Sequence, residues 1–303
     1  MNLKQTVIAL GFFDGVHRGH GALLNKTVQR ARELGAEPVV FTFDRPPKEV
    51  VTGKPVFLIN SPEDRRELVK RIYGIDRVVM APFDREMMTL PWDAFIEQKL
   101  ARDLNAVHLV AGHDYHFGHK NQGDPQLLQE KCRELGLGCD IIPKVEVEGI
   151  TVSSTYIRTL VESGDVERAA VFLGHRHCMT HTVGHGQRIG RTIGIPTVNL
   201  TVPGHVLVPK HGVYVSRVYL PDGSSFAGVT NVGTRPTVSE NGSVSVETFM
   251  LGFDGDLYGK DIRLEFCKRL RDEVKFSSLE ALRDEIRKNI RQTQAYFEEN
   301  GTD

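Results

Sequence analysis

The chain has 303 residues, 40% of them hydrophobic and 25% charged, which is the composition of a folded globular protein and excludes wholesale disorder. At roughly 150 residues per domain, this length allows two domains. The 38 basic and 39 acidic residues give a formal net charge of −1. We therefore expect no nucleic acid as the main partner, because binding a phosphate backbone needs a surplus of positive charge.

The cysteines and the apolar runs bear on where the protein is located. The four cysteines form no Cys-x-x-Cys pair and are typical of reduced thiols. No apolar run reaches the ~18 residues of a membrane span, and the apolar stretch after Lys4 is too short for a signal peptide. We therefore expect a cytoplasmic protein without a membrane partner.

Strand and helix patterns alternate through the first half of the chain. Short apolar runs at 7–10, 38–43, 77–80, 107–111 and 140–142 are separated by stretches with helical spacing at 19–34, 61–73, 92–104 and 126–135. Strands separated by helices are typical of βαβ units, so they predict a Rossmann-like, doubly wound parallel sheet of the α/β class. Two shorter helices are predicted at 155–162 and 166–173.

The pattern changes after Gly174, where glycines and prolines punctuate short β-rich runs. The runs at 212–220, 226–232, 243–251 and 262–267 predict a small antiparallel β-barrel. A terminal amphipathic helix follows, with Ser277 and Glu280 as a predicted capping box at its start. We expect two domains, residues 1–176 and 177–303.

The first candidate functional segment runs from Gly11 to His20, directly after the first predicted strand. Its glycines let a phosphate approach the backbone, and a helix N-terminus presents unpaired N–H groups. His17 and His20 lie three residues apart, so both can face one anion and neutralise the charge on a leaving pyrophosphate. The alternative is an ordinary strand–turn–helix with incidental histidines.

A second polar cluster lies at the start of the predicted helix at 155–162. Its hydroxyl groups, from Ser153, Ser154 and Thr155, can cap that helix or bind phosphate. Arg158, about one turn further on, adds a planar pair of donors that suits phosphate.

The third segment, residues 184–199, is rich in glycine. Gly184-x-Gly186 is similar to the start of a dinucleotide-binding motif, but no helical pattern follows it. Thr197 and Asn199 are two residues apart, so they share one face of an extended strand, and their oxygens suit Mg²⁺. Glu247 lies on a later predicted strand, where it is either a solvent-facing charge or a functional carboxylate.

The first two segments resemble the His-x-Gly-His and Ser-Ser-Thr-x-Ile-Arg signatures of the nucleotidyltransferase superfamily, in the form found in prokaryotic FAD synthetases. Residues 112–118 are similar to the Gly-x-Asp-Phe-x-Phe-Gly loop of that family. The second half resembles riboflavin kinases in a Gly-rich loop at 190–194, a Pro-Thr-x-Asn motif at 196–199, a later glutamate and a Leu-Arg-x-Glu sequence at 270–273. The resemblance covers nearly the whole chain.

The resemblance implies a bifunctional enzyme that phosphorylates riboflavin to FMN with ATP and then adenylylates FMN to FAD. It implies Glu247 as general base, His17 and His20 as catalytic residues, and Mg²⁺ held by Thr197 and Asn199. It also implies small-molecule partners (ATP, riboflavin and FMN) and leaves self-association open. The implied phosphate-binding residues are Gly11, Phe12, Asp14, Gly19, Ser153, Ser154, Thr155, Arg158, Gly190, Arg191 and Gly194, and the implied flavin contacts are Asp114, Phe117, Arg271 and Glu273.

Departures from the family pattern keep alternatives open. Arg45 replaces a proline, His116 stands where arginine is common, and Lys120-Asn121 where arginine is typical. The alternatives are a kinase with a vestigial first domain and a flavin-binding regulator without turnover. Metal binding is also open at two histidine-rich segments, one formed by His113, His116 and His119 and the other by His175, His177, Cys178 and His181.

Overall fold

The computed structural model describes residues 4–184, 195–202, 204–234 and 244–301. The chain divides into two compact units, Met1–Ser154 and Thr155–Asp303. The change in sequence pattern predicts a boundary between residues 176 and 177, and this stays a prediction.

The first unit contains a five-stranded parallel sheet. The strand order is β3-β2-β1-β4-β5, and all four neighbouring pairs are parallel. The strands are β1 (Thr6–Leu10), β2 (Glu37–Phe43), β3 (Arg77–Ala81), β4 (Ala106–Gly112) and β5 (Gly138–Ile142). The α/β fold with a doubly wound parallel sheet is thereby confirmed.

Helices connect these strands. α3 shows why they begin where they do: Ser61 caps it by accepting a hydrogen bond from the backbone N–H of Asp64 (3.0 Å), and Pro62 occupies its first turn. The helices are α1 (Arg18–Leu34), α2 (Pro47–Thr52), α3 (Pro62–Tyr73), α4 (Arg85–Thr89), α5 (Trp92–Ala94), which continues as a π-helix over Phe95–Arg102, and α6 (Pro125–Glu134). A two-stranded hairpin, β6 (Glu146–Val147) and β7 (Ile150–Thr151), follows β5.

The centre of the sheet lies in the core of this unit. Every residue of β1 is buried, as expected for a parallel strand covered on both faces. β1 pairs with β2 on one side and β4 on the other, so the strand order reverses at its carboxyl end. Ligands of α/β sheets bind in the crevice at such a point.

The second unit is built on a closed six-stranded barrel in the order β10-β11-β12-β9-β8-β13, with antiparallel pairing. This confirms the predicted antiparallel barrel with a terminal helix. Its elements are α7 (Ser154–Ser163), which begins at the boundary of the units, α8 (Val166–Leu173), β8 (Cys178–Gly184), β9 (Thr197–Leu200), β10 (Gly212–Tyr219), β11 (Ser225–Thr234), β12 (Val244–Met250), β13 (Asp261–Arg271) and α9 (Leu279–Asn300).

Alternation along β12 separates the inside of the barrel from its outside. Val246 and Met250 belong to the apolar core, and Thr248 is fully buried between them. Inside the barrel, the hydroxyl groups of Thr230 and Thr248 are 2.8 Å apart. Residues at the intervening positions of β12 therefore face outward.

The terminal helix corrects one detail of the sequence analysis. The predicted capping box of Ser277 and Glu280 is wrong, because Ser278 is the N-cap and its Oγ accepts a hydrogen bond from the backbone N–H of Ala281 (3.1 Å). With Ser278 in that position, the third helical residue is Ala281, which has no carboxylate to complete a capping box. Glu280 lies in the first turn, where the helix dipole favours a negative charge.

Candidate active sites

A cavity of about 520 Å³ lies at the carboxyl-terminal edge of the parallel sheet in the first unit. Its wall contains Gly11 directly after β1, Phe43 at the end of β2, Gly112 at the end of β4 and Ile142 at the end of β5. The cavity thus occupies the point where the strand order reverses, which is the expected ligand position for this sheet.

The two histidines singled out in the sequence both line this cavity. His17 caps α1, because its Nδ1 accepts a hydrogen bond from the backbone N–H of His20 (3.3 Å). The two imidazole rings are stacked, with centroids 3.6 Å apart and an interplanar angle of 13°. The structure therefore places both rings at the N-terminus of a 17-residue helix, where an anion is stabilised by the helix dipole.

The electrostatics of His20 favour a neutral ring in the absence of an anion. Burial, followed by the charges of His17 and Arg65, lowers the pKa of His20 well below its ordinary value. Within the described residues, its Nδ1 is buried and has no hydrogen-bond partner. An anion bound beside the ring would raise this pKa, because a nearby negative charge favours the protonated imidazole.

The turn before α7 adds hydroxyl groups to the same cavity. Ser153 and Ser154 line it, and the Oγ of Ser154 donates a hydrogen bond to the backbone carbonyl of Asp14 (2.9 Å). This bond joins residues 140 positions apart and ties the turn to the loop after β1. Thr155 and Arg158 belong to the second unit, and their part in phosphate binding stays a prediction.

Two buried charges support the loop after β1. The carboxylate of Asp14 accepts a hydrogen bond from the backbone N–H of Ile59 (2.9 Å). Asp14 does not line the cavity, and its predicted contact with ATP stays a prediction. Arg65, which the sequence analysis missed, donates hydrogen bonds to the carbonyls of Phe12 and Phe43. The available signal was a charge on the apolar face of α3, beside Leu68.

The loop after β4 forms another wall, which includes the predicted flavin contacts Asp114 and Phe117. Phe117 is buried, and its ring stacks on that of Tyr115 with centroids 5.3 Å apart. Gly118 has a φ of 72°, and a Cβ there would lie 2.5 Å from the Cα of Trp92, so only glycine fits this turn. The loop conformation thus depends on the glycine of the family motif.

Lys144 also lines the cavity and was missed. It follows the end of β5 by two residues, and its Nζ lies 2.7 Å from a carboxylate oxygen of Glu146. A lysine directly after a strand of a parallel sheet is the signal that could have identified it, because such residues gather at the ligand-binding edge.

Neither histidine-rich segment assembles a metal site. His116 donates to the carbonyl of Asp114 (3.0 Å) and His119 to that of Met88 (3.2 Å), while His177 stacks on Phe266. No three His, Cys, Asp or Glu side chains in the described ranges come together to hold a metal ion.

In the second unit, strand register brings together the residues predicted for the other reaction. Glu247 on β12 lies directly opposite Asn199 on β9, and Asn231 on β11 lies directly opposite Glu247. Thr197 shares the face of Asn199, since it is two residues away on the same strand. These side chains lie on the outer face of the barrel. Gly190, Arg191 and Gly194 lie outside the described residues.

The same row continues towards the predicted flavin contacts. Val213 on β10 lies opposite both Asn231 and Arg271. The Nδ2 of Asn231 donates a long hydrogen bond to Glu273 (3.5 Å), and Arg271 donates to the Oδ1 of Asn289 on α9 (3.0 Å). Asn231 was not among the predicted site residues, and its position opposite Glu247 is visible only once the register is known.

Comparisons with known proteins assign a family to each half of the chain. A sequence model of the FAD synthetase family matches residues 1–156, and one of riboflavin kinase matches residues 173–297. A bifunctional riboflavin kinase/FMN adenylyltransferase from Pseudomonas fluorescens is 36% identical over 95% of this chain and 91% of its own length. A protein of the same name from Haemophilus influenzae is 35% identical over 97% of this chain and 95% of its own length. One from Bacillus subtilis is 33% identical over 97% of this chain and 93% of its own length. The chain belongs to the bifunctional riboflavin kinase/FMN adenylyltransferase family.

A solved structure resembles this riboflavin kinase/FMN adenylyltransferase family member over both units. It is a crystal structure described as a macrolide-efflux protein from Streptococcus pneumoniae, with a TM-score of 0.85 and 29% identity over 97% of this chain and 95% of that one.

In the part of the chain that the structure describes, no helix combines the length and hydrophobicity required to cross a lipid bilayer.

Proposed function

We propose that this chain is a bifunctional enzyme of flavin-cofactor synthesis. Its second unit phosphorylates riboflavin to FMN with ATP, and its first unit transfers the adenylyl group of a second ATP to FMN, which yields FAD and pyrophosphate. The observation that carries the proposal is that each unit gathers the residues of its own family motif: His17 with His20 in one, and Glu247 with Asn199 in the other.

In the kinase reaction, Glu247 acts as general base. Its carboxylate takes the proton of the riboflavin 5′-hydroxyl as that oxygen attacks the γ-phosphorus of ATP, and ADP leaves. Support comes from its position on the outer face, with Asn199 on one neighbouring strand and Asn231 on the other. The row from Asn231 to Arg271 offers the adjoining surface for the flavin, with Glu273 as a second flavin contact.

Thr197 and Asn199 fit Mg²⁺ at the kinase site. Both place oxygen-bearing side chains on one face of β9, next to a carboxylate, and oxygen donors are the ligands that Mg²⁺ prefers. When bound there with ATP, the ion neutralises charge on the phosphates. We further propose that the segment containing Gly190, Arg191 and Gly194 covers the phosphates of ATP.

In the adenylyl transfer, the FMN phosphate attacks the α-phosphorus of ATP and pyrophosphate leaves. His17 and His20 donate N–H groups to the departing phosphates, and the N-terminus of α1 adds its dipole. Ser153 and Ser154 contribute hydroxyl groups from the same wall. We assign Gly11, Phe12, Asp14, Gly19, Thr155 and Arg158 to the phosphate-binding set and Asp114 and Phe117 to the flavin.

We also propose that these reactions take place in the cytoplasm with small molecules as the partners. Support comes from the four cysteines, none of which forms a disulfide, as is typical of a reducing compartment. The alternatives of a vestigial first unit and of a flavin regulator have no support in the comparisons.

The test is product analysis of the purified chain. Incubated with riboflavin and Mg-ATP, it should form FMN first and FAD later, as separated by chromatography over time. FMN as the final product would overturn the adenylyltransferase assignment. Unchanged riboflavin, together with no conversion of added FMN, would overturn both activities.

A further inference from the structure

Arg65 on α3 is the feature of the first unit that the proposed chemistry leaves unexplained. Its side chain is only 1% exposed and does not line the cavity. Arginine is seldom buried to this extent, because removing its charge from water is costly unless partners replace the water.

The partners of Arg65 are two backbone carbonyls at the ends of neighbouring strands. Its Nη1 donates to the carbonyl of Phe12 (2.6 Å) and its Nη2 to that of Phe43 (2.7 Å). The guanidinium also lies over the ring of Phe12, 4.5 Å from its centroid. A planar guanidinium offers two donors in fixed geometry, which a lysine ammonium does not.

These two carbonyls belong to the segments that shape the cavity. Phe12 lies in the loop between β1 and His17, and Phe43 is the last residue of β2. The hydroxyl of Thr42 also donates to the carbonyl of Phe12 (2.9 Å). Arg65 therefore fixes the loop that leads into α1 against the neighbouring strand.

Arg65 also places a positive charge near enough to His20 to affect its pKa. The charges of His17 and Arg65 both add to the effect of burial in lowering the pKa of His20. Burial lowers the pKa of Arg65 to about 10, and the charge of Arg66 also lowers it. The negative charges of Asp14, Glu63 and Asp44 act in the opposite direction and raise the pKa. The guanidinium thus stays charged at neutral pH.

We propose that Arg65 is a positioning residue for adenylyl transfer. It holds the loop after β1 so that His17 and His20 meet the phosphates in one geometry, and it adds a fixed positive charge near His20. This inference rests on the function proposed for the first unit.

The experiment compares three variants of the full chain with the wild type. Arg65→Met removes the charge and both hydrogen bonds, and Arg65→Lys keeps the charge but not the two-carbonyl contact. Arg66→Met is the matched control, because it removes the same charge from an exposed position on the same helix. Each protein is assayed for FMN-to-FAD conversion against pH and for riboflavin phosphorylation.

Arg65→Met should lower kcat for FAD formation by roughly 100-fold, the order expected when catalytic groups are displaced by about 1 Å. The limb of its pH profile that reports His20 should move to higher pH, because the imidazole loses a neighbouring cation. Arg65→Lys should lower kcat by about tenfold and keep the wild-type pH profile, since the charge remains. Riboflavin phosphorylation, and both rates of Arg66→Met, should stay at wild-type values.

If Arg65→Met forms FAD at the wild-type rate, the inference is overturned. A lower rate with an unchanged pH profile would also overturn it, because that result indicates a structural role only. If Arg65→Met does not fold, the Arg65→Lys comparison decides: a wild-type kcat would overturn the inference. A wild-type chain that makes FMN but no FAD would instead overturn the function proposed for the first unit.

Discussion

The two sites of this chain are assembled in different ways. In the first unit, the candidate site is a cavity lined by loops after all five strands of the parallel sheet, and buried groups such as Asp14 and Arg65 hold the loop after β1. In the second unit, the candidate site is built on a row of opposing residues on the outer face of a barrel, and strand register brings Asn199, Glu247 and Asn231 together. The first depends on tertiary supports, and the second on the pairing of neighbouring strands.

The largest expected effect tests whether the row on the barrel acts by itself. Glu247→Gln keeps the shape of the side chain but removes the base, so FMN formation should fall by about 10³-fold, within the range of general-base catalysis. Conversion of added FMN to FAD should be unchanged. Glu298→Gln, at an exposed position on α9, serves as the control. Loss of both activities in Glu247→Gln would show that the two sites are not functionally separate.

The reverse test addresses the cavity. His20→Ala removes one of the two stacked imidazoles, and FAD formation should fall by about 10²-fold, the order seen when one preorganised donor is lost. Riboflavin phosphorylation in the same sample should keep its wild-type rate. An undiminished rate of FAD formation would remove His20 from the mechanism.

A buried imidazole in the second unit makes its stability depend on pH. Burial, followed by the charge of His175, lowers the pKa of His177 to about 4, below the ~6.5 of an unfolded histidine. Between these values the unfolded chain binds the extra proton, so stability is lost as the pH falls from 6.5 to 4. The loss should reach about 3 kcal/mol in urea unfolding.

His177→Leu removes the titrating group and should flatten this pH dependence over the same range. The wild type and the variant are compared by urea unfolding at several pH values, with FMN formation as a check on the fold. An equally steep dependence in the variant would assign the acid sensitivity to other groups.

The smallest effect concerns the start of α9. Ser278→Ala should lower the free energy of unfolding by about 1 kcal/mol, because the backbone N–H of Ala281 loses its acceptor. Ser277→Ala is the matched control and should change it little. Equal losses in a urea titration would contradict the assignment of Ser278 as the N-cap.

Local patterns were enough to predict the fold class and the positions of several candidate site residues within it. Alternation of apolar residues and helical spacing depend on neighbours along the chain, so the parallel sheet and the barrel could both be recognised. The same holds for His17 with His20, three residues apart at a helix start, and for Thr197 with Asn199 on one strand face.

The remaining site residues depend on contacts between distant segments. Arg65 lies 53 residues from Phe12, and nothing in the spacing of α3 relates it to that carbonyl. Asn231 meets Glu247 only through the pairing of β11 with β12, and Lys144 reaches the cavity because β5 ends beside β4. The choice between Ser277 and Ser278 turned on a one-residue shift, which is the usual uncertainty of a helix end.

The closed barrel has a consequence for how this enzyme can vary. A strand that slips by one residue exchanges its two faces, so the same slip that moves Glu247 off the surface also brings Val246 and Thr248 out of the core. Closure leaves no free edge at which such a shift could be absorbed, because each strand is held on both sides. A register error that displaces Glu247 therefore also disrupts the packing of the barrel core, so strand slippage cannot remove this carboxylate from the outer face and leave the fold intact.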